Sequence, residues 1–165
     1  MEELTEGDPQ SLVARNALRK ARAVHGERVL GADTAVVLDG EPLGKPASEE
    51  QAEAFLRRLS SRDHEVMTGV ALIEGGAERC EVAVTRVTFR ALEEAEVAWY
   101  LESGEWRGRA GGYAIQGRGA ALVAAIEGDY WNVVGLPVAL LAGLCRDFVT
   151  PATRLAGPGA SPEGR

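Results

Sequence analysis

The stretch Val29–Pro46 has the sequence VLGADTAVVLDGEPLGKP, which combines an apolar run, an acid, a turn signal and a lysine. Its apolar and β-branched residues predict a strand. The dipeptide Asp39-Gly40 is typical of a two-residue hairpin turn, because both residues tolerate positive φ. The turn returns Lys45 to the neighbourhood of Asp33, which we place at the end of the first apolar run. A carboxylate and a lysine brought together in this way are typical of a site that handles phosphate.

Helices are predicted on both sides of this hairpin. Asp8-Pro9 has the pattern of an N-cap followed by proline at the first helical position, and apolar residues recur at helical spacing up to Gly26. Ser48 with Gln51 is a capping-box signature for a second helix that ends near Ser60. The other predicted elements are a long antiparallel hairpin of His64–Ile73 and Cys80–Phe89, a helix over Glu93–Glu102, a strand over Ala120–Ile126 and a last helix from Pro137.

Composition excludes several classes of protein. The chain has 165 residues, of which 45% are hydrophobic, and this fits one α/β domain with a real core. A net charge of −7 argues against broad binding to nucleic acid or to an anionic membrane surface. Cys80 and Cys145 lie in unrelated contexts and predict neither a metal motif nor a disulfide framework. No apolar run reaches membrane-spanning length and no signal pattern is present, so we expect a cytoplasmic protein with no nucleic-acid or membrane partner.

Two further sequence motifs carry polar groups that could bind a ligand. AGGYAIQGRGA, residues 110–120, is rich in glycine, which lets a backbone approach a ligand closely, and it presents the amide of Gln116. Arg109 precedes this motif and Arg118 lies within it, and both could support phosphate binding, although loop arginines are at least as often solvated. EGDYWNVVGLP, residues 127–137, most simply shapes the turn before the last helix.

Taken together, Val29–Pro46 and these two motifs resemble the Maf family of nucleoside triphosphate pyrophosphatases. The resemblance extends from about Glu2 to Phe148. The resemblance implies an elongated α/β structure of the Maf and ITPase type, with a mixed, strongly twisted sheet flanked by helices and a ligand cleft between two lobes. It implies hydrolysis of a nucleoside triphosphate to the monophosphate and pyrophosphate, and homodimers are common in such proteins. The pair Ile115-Gln116 resembles the subgroup that acts on dTTP and UTP.

The resemblance also implies a role for each candidate residue. A structural alternative stays open for most of them, since Asp33 can be a turn acid and Lys45 a solvated lysine. His64, at the start of a strand, is interpreted as a structural hydrogen-bonding residue and is left out of the catalytic set. The implied roles are catalysis by Asp33, Lys45 and Glu3, substrate binding by Thr34, Gln116, Arg109 and Arg118, and coordination of a divalent metal cation, magnesium or manganese, by Asp33 and Glu3.

The chain departs from the family pattern at its beginning. Maf proteins open with a strand and a loop of the form S-x-S-P-R-R, whereas this sequence has Glu2-Glu3 where the family has an acidic pair further along. We therefore expect residues 1–149 to form an N-terminally incomplete Maf-like domain. Residues 150–165, rich in Pro, Gly, Ala and Ser, are predicted to be a disordered tail.

Alternatives to a pyrimidine nucleotide hydrolase follow from the same observations. The absent arginine loop suggests a catalytically impaired nucleotide-binding regulator linked to septum formation. A hydrolase of similar architecture that acts on purine nucleotides is a third hypothesis, which Ile115-Gln116 disfavours.

Overall fold

The computed structural model describes residues 7–145 as helices around one five-stranded sheet, with strand order β2-β1-β3-β4-β5. Within these residues no helix combines the length and the apolar character that crossing a lipid bilayer requires. The elements are α1 (Pro9–Arg22), β1 (Arg28–Leu38), β2 (Glu41–Leu43), α2 (Glu49–Leu59), β3 (Asp63–Glu74), β4 (Ala77–Phe89), α3 (Glu94–Glu102), 3₁₀ helices at Ala110–Gly112 and Gly117–Leu122, β5 (Val123–Glu127), α4 (Tyr130–Val134) and α5 (Val138–Leu144).

The local signals in the sequence form as predicted. The Asp8 carboxylate accepts a hydrogen bond from the amide of Ser11 at 3.0 Å and caps α1. The Ser48 hydroxyl caps α2 in the same manner. Asp39 and Gly40 adopt φ values of 53° and 79°, which are those of a tight hairpin turn between β1 and β2. The α/β fold, with helices flanking the sheet, is confirmed.

Some details differ from the sequence-based expectations. All four strand pairings among the described residues are antiparallel, so the parallel part of the expected mixed sheet is not found there. Asp33 lies in the middle of β1 and not at its end, because the strand continues through Leu38. The segment Ala120–Leu122 belongs to a 3₁₀ helix, and the strand predicted there begins at Val123. Glu3 and residues 146–165 lie outside the described residues.

The two faces of the sheet carry different layers. Successive side chains of a strand point to opposite faces, so Asp33 shares a face with α1 while Thr34 points to the other. Helix α1 approaches very closely, because a Cβ added at Gly31 would lie 2.2 Å from the carbonyl oxygen of Ala17, and one at Gly69 would lie 2.4 Å from that of Val13. Helices α2 and α3 and both 3₁₀ helices contribute to the largest core cluster.

Candidate functional site

A pocket of about 170 Å³ lies along the edge of β1, where β2 ends. Strand β2 pairs with β1 only over Val36–Leu38, so the neighbouring residues Ala32–Thr34 are reached from both faces of the sheet. This explains why Asp33 and Thr34, which point to opposite faces, line one pocket. Helix α1 contributes to one wall, and the segment Gly108–Gln116 together with Val133–Gly135 contributes to the opposite wall.

Asp33 is the buried acid of this pocket, with 8% of its surface exposed. Its Oδ1 lies 2.5 Å from Nζ of Lys20, which forms an ion pair with it, and its Oδ2 accepts a hydrogen bond from the Asn16 amide at 3.1 Å. Both partners come from α1, one helical turn apart. The close packing of α1 on β1 and β3 is therefore what delivers a cation and an amide to this carboxylate.

Thr34 belongs to a hydrogen-bond network on the opposite face. Its Oγ1 lies 2.9 Å from Oγ1 of Thr68, and the Thr68 hydroxyl donates to the backbone carbonyl of Asn132. A hydroxyl has a single proton, so Thr34 is the donor in its bond with Thr68. The lone pairs of Thr34 then remain for the pocket, and this hydroxyl suits a donor group of a ligand better than a phosphate oxygen.

Asn132 fixes the other end of this network. Its side-chain amide is fully buried and donates to the carbonyl of Val66 at 2.9 Å and to Oγ1 of Thr85 at 3.0 Å. The motif Glu127–Pro137 therefore anchors the short helix α4 on strands β3 and β4. This finding agrees with the structural role expected for that motif.

Lys45 lines the pocket together with Asp33, so the hairpin does return this lysine as predicted. The carbonyl of its neighbour Gly44 accepts a hydrogen bond from the amide of Gly111 at 3.1 Å. This bond connects the loop that carries Lys45 to the glycine-rich motif of residues 110–120. Arg109 also lines the pocket and is exposed. Three positively charged side chains, those of Lys20, Lys45 and Arg109, thus contribute to one cavity.

The chain contains two lysines, at positions 20 and 45, and both line this pocket. Neither Lys20 nor Asn16 is among the candidate residues that the sequence indicated. A usable signal was present, since Val13, Asn16 and Lys20 recur at the spacing of one helix face. That spacing alone does not reveal which strand residue the face meets.

Gln116 and Ile115 also line the pocket, and Gln116 is exposed whereas Ile115 is buried. The glycines around them were expected to clear space for a ligand, but the structure gives them another purpose. A Cβ at Gly111 would meet Val36 at 2.9 Å, and one at Gly119 would meet the carbonyl oxygen of Ala114 at 1.7 Å. These glycines allow the backbone of the motif to pack closely against neighbouring parts of the protein.

Tyr113 anchors the same glycine-rich motif on the sheet. Its hydroxyl and Nε2 of His64 lie 2.7 Å apart in a buried hydrogen bond, and the two rings pack edge to face with Phe89. Burial lowers the pKa of His64 to about 4 and raises that of Tyr113 well above its usual range, so both rings are neutral near pH 7. His64 thus has the contacts of a structural residue.

Arg118 is not brought into this pocket. Its guanidinium donates to the carbonyl of Trp99 at 2.7 Å and lies over the Trp99 ring at 4.9 Å. The expected role of Arg118 in substrate binding therefore has no support in the described geometry. Glu3, the other expected catalytic and metal-binding acid, lies outside residues 7–145.

The carboxylates described by the structure do not by themselves form a complete metal cage. Within residues 7–145, no group of three or more His, Cys, Asp or Glu side chains is placed to hold an ion. Asp33 offers one carboxylate, whose oxygens retain lone pairs beyond those used by Lys20 and Asn16. Magnesium is commonly bound by one or two carboxylates together with substrate phosphates and water, and Asp33 fits that pattern.

Comparison with known proteins agrees with these motifs. The family model described as Maf-like protein matches residues 1–148. The dTTP/UTP pyrophosphatase of Symbiobacterium thermophilum is 52% identical over 147 residues, which are 87% of this chain and 76% of that protein. The dTTP/UTP pyrophosphatase of Deinococcus radiodurans is 48% identical over 149 residues, 88% of this chain and 76% of that protein. This chain belongs to the Maf family.

Proposed function

We propose that this chain is a nucleoside triphosphate pyrophosphatase that hydrolyses dTTP and UTP to the monophosphate and pyrophosphate. The observation that carries the proposal is the convergence of a buried carboxylate, two lysines and an amide on one pocket. Relatives about half identical over most of this chain bear the name dTTP/UTP pyrophosphatase. No observation favours a regulator without turnover over this enzyme.

Asp33 is the group that activates water in this proposal. A carboxylate can orient a water molecule and accept its proton as the water oxygen attacks phosphorus. Lys20 holds this carboxylate at Oδ1, and Asn16 holds it at Oδ2, so its plane is fixed by two contacts. The bond between the α and β phosphates then breaks, and pyrophosphate leaves.

The positive side chains compensate the charge of the triphosphate. Lys45 and Arg109 line the pocket as exposed cations and can approach phosphate oxygens. Asp33 would hold a divalent cation, magnesium or manganese, with Glu3 as the proposed second acid. When bound, such a cation neutralises charge on phosphate oxygens.

The nucleobase is proposed to lie at Ile115 and Gln116. The buried Ile115 offers an apolar surface, and the Gln116 amide carries both a donor and an acceptor for a pyrimidine edge. Thr34, with its lone pairs turned to the pocket, is a further acceptor for a base N–H group. This orientation places the phosphates toward the lysines.

The proposal extends to location and partners. A cytoplasmic location remains a prediction from the sequence, and a homodimeric assembly remains an expectation from the resemblance to the Maf family. The net charge of −7 supports the expectation that neither nucleic acid nor a membrane surface is a partner.

An Asp33→Asn variant tests the function directly. The amide cannot accept a proton from water, so we expect kcat/KM for dTTP and UTP to fall by about 10²–10⁴-fold. The measurement is pyrophosphate release, with nucleotide affinity followed by calorimetry. Asp39→Asn is the matched control, because Asp39 is an exposed turn acid and asparagine tolerates its positive φ.

Two outcomes contradict the proposal. Undiminished pyrophosphate release by Asp33→Asn would remove Asp33 from the chemistry. Tight binding of dTTP by the unaltered protein without any release would instead support the regulator.

A further inference from the structure

The side chain of Glu105 holds the segment that carries Gln116. Glu105 is not among the described residues that line the pocket. Oε1 of Glu105 accepts a hydrogen bond from the backbone amide of Arg118 at 3.0 Å, and Oε2 accepts one from that of Gly119 at 3.2 Å. Both amides belong to the first turn of the 3₁₀ helix that begins directly after Gln116. Glu105 thus supplies the acceptors that the start of this helix requires.

Glu105 also packs directly against the backbone beside Gln116. Gly117 adopts a φ of 66°, and a Cβ added there would lie 2.5 Å from Oε1 of Glu105. Any other residue at this position would displace the carboxylate. The glycine next to Gln116 is therefore explained by Glu105, with no ligand needed.

The other side of Gln116 is fastened independently. The Ala114 amide donates to the hydroxyl of Tyr100 at 3.1 Å, and Tyr100 is fully buried. Gln116 lies between this anchor and the Glu105 anchor, and it is itself exposed in the pocket. The direction of its side chain thus depends on two fixed points of backbone.

We propose that Glu105 is a positioning residue that sets the orientation of the Gln116 amide and thereby the selectivity for uracil and thymine. This inference rests on the proposed function. Hydrogen bonds from backbone amides to a carboxylate are charge-assisted, and a carboxylate has only acceptors, so nothing in it repels the two N–H groups. An amide that must distinguish exchanged donors and acceptors on a base needs such a fixed backbone.

The same contacts separate Glu105 from the phosphates. The amides of Arg118 and Gly119 are already bound to its carboxylate, so they do not serve as phosphate donors in this conformation. Substrate phosphates are left to the lysine side of the pocket. Glu105 consequently acts on the base end of the substrate, through Gln116.

The variant Glu105→Gln tests this proposal. Its side-chain NH₂ group faces a backbone N–H, so one of the two hydrogen bonds is lost while the volume is preserved. We expect the ratio of kcat/KM for UTP to that for CTP to fall about 10-fold, mainly through a higher KM for UTP. CTP is the probe because uracil and cytosine exchange donor and acceptor at the same edge. Glu102→Gln is the matched control, since Glu102 is exposed at the end of α3.

A double-mutant cycle shows whether Glu105 acts through Gln116. In a Gln116→Ala background, Glu105→Gln is expected to leave the UTP to CTP ratio unchanged. A ratio that stays at the unaltered value in Glu105→Gln, or that falls further in the double variant, overturns the proposal. If Glu105→Gln does not fold, Glu105→Asp, which retains the charge at a shorter reach, takes its place with the same criteria.

The failure of the proposed function is distinguishable from the failure of this inference. If the unaltered protein hydrolyses neither UTP nor CTP, the pyrophosphatase proposal fails. The same comparison is then made with dissociation constants of UTP and CTP from calorimetry. Equal selectivity of the unaltered protein and Glu105→Gln in that measurement rejects the role of Glu105.

Discussion

At the residue scale, the site depends on the contact between Asp33 and Lys20. The carboxylate is almost fully buried, whereas the side chain of Lys20 is 36% exposed, so the pair lies at the boundary between the core and the pocket. A buried carboxylate that loses its cation is left with an uncompensated charge. The lysine thus compensates the charge of the carboxylate that is proposed to activate water.

Lys20→Met removes this charge while keeping most of the side-chain stem. We expect kcat/KM for dTTP to fall by about 10–100-fold, because Asp33 and the substrate phosphates both lose a cation. Arg19→Met is the matched control, since Arg19 is the adjacent cation and does not line the pocket. Steady-state pyrophosphate release measures both variants, and equal rates for the two would show that the ion pair has no part in catalysis.

At the scale of elements, the position of α1 on the sheet decides whether the site exists. Lys20 and Asn16 reach Asp33 only because Gly31 and Gly69 allow the helix backbone to lie almost on the strands. Gly69 is paired with Asp33 across β1 and β3. One of the two close approaches of the helix therefore lies beside Asp33.

Gly69→Ala places a methyl group where the carbonyl of Val13 now lies. We expect a loss of about 1–3 kcal/mol in the free energy of unfolding, as is typical of overpacking, together with a fall in activity as α1 moves away from Asp33. Urea unfolding and pyrophosphate release measure the two effects. Gly143→Ala in α5 is the control, because a Cβ there meets nothing within 4 Å and alanine favours a helix. Unchanged stability of Gly69→Ala would contradict this packing argument.

At the scale of the whole molecule, the stability of the protein depends on pH through His64. The folded protein holds this ring neutral, with its pKa lowered to about 4 by burial, whereas the ordinary value is 6.5. Between these values the unfolded chain binds a proton that the folded chain does not. The contribution of His64 is therefore fully present above pH 6.5 and is lost as the pH falls toward 4.

Comparison of pH 7.0 with pH 4.5 measures this effect. We expect His64 to account for a loss of about 2–3 kcal/mol in the free energy of unfolding over this interval, calculated from the difference between the two pKa values. Urea unfolding of His64→Gln should show a smaller loss between the two pH values than the unaltered protein does. His25→Gln is the control, because His25 is exposed. Equal pH dependence in all three proteins would show that His64 does not titrate in this way.

Features that depend only on adjacent residues follow from the sequence. The Asp39-Gly40 turn, the caps at Asp8 and Ser48 and the hairpin through Gly75-Gly76 were all predictable, because a few adjacent residues set their backbone angles and hydrogen bonds. The hairpin also carried Lys45 back to the site. The three motifs, residues 29–46, 110–120 and 127–137, were specific enough to indicate the family.

The packing of distant elements sets which side chains meet. It joined Lys20 and Asn16 to Asp33, turned Arg118 toward Trp99, and assigned the glycines of the Gln116 segment to packing against the protein. These contacts connect elements far apart in the chain. Their geometry depends on how closely helices and strands pack, and no local pattern of residues carries that information.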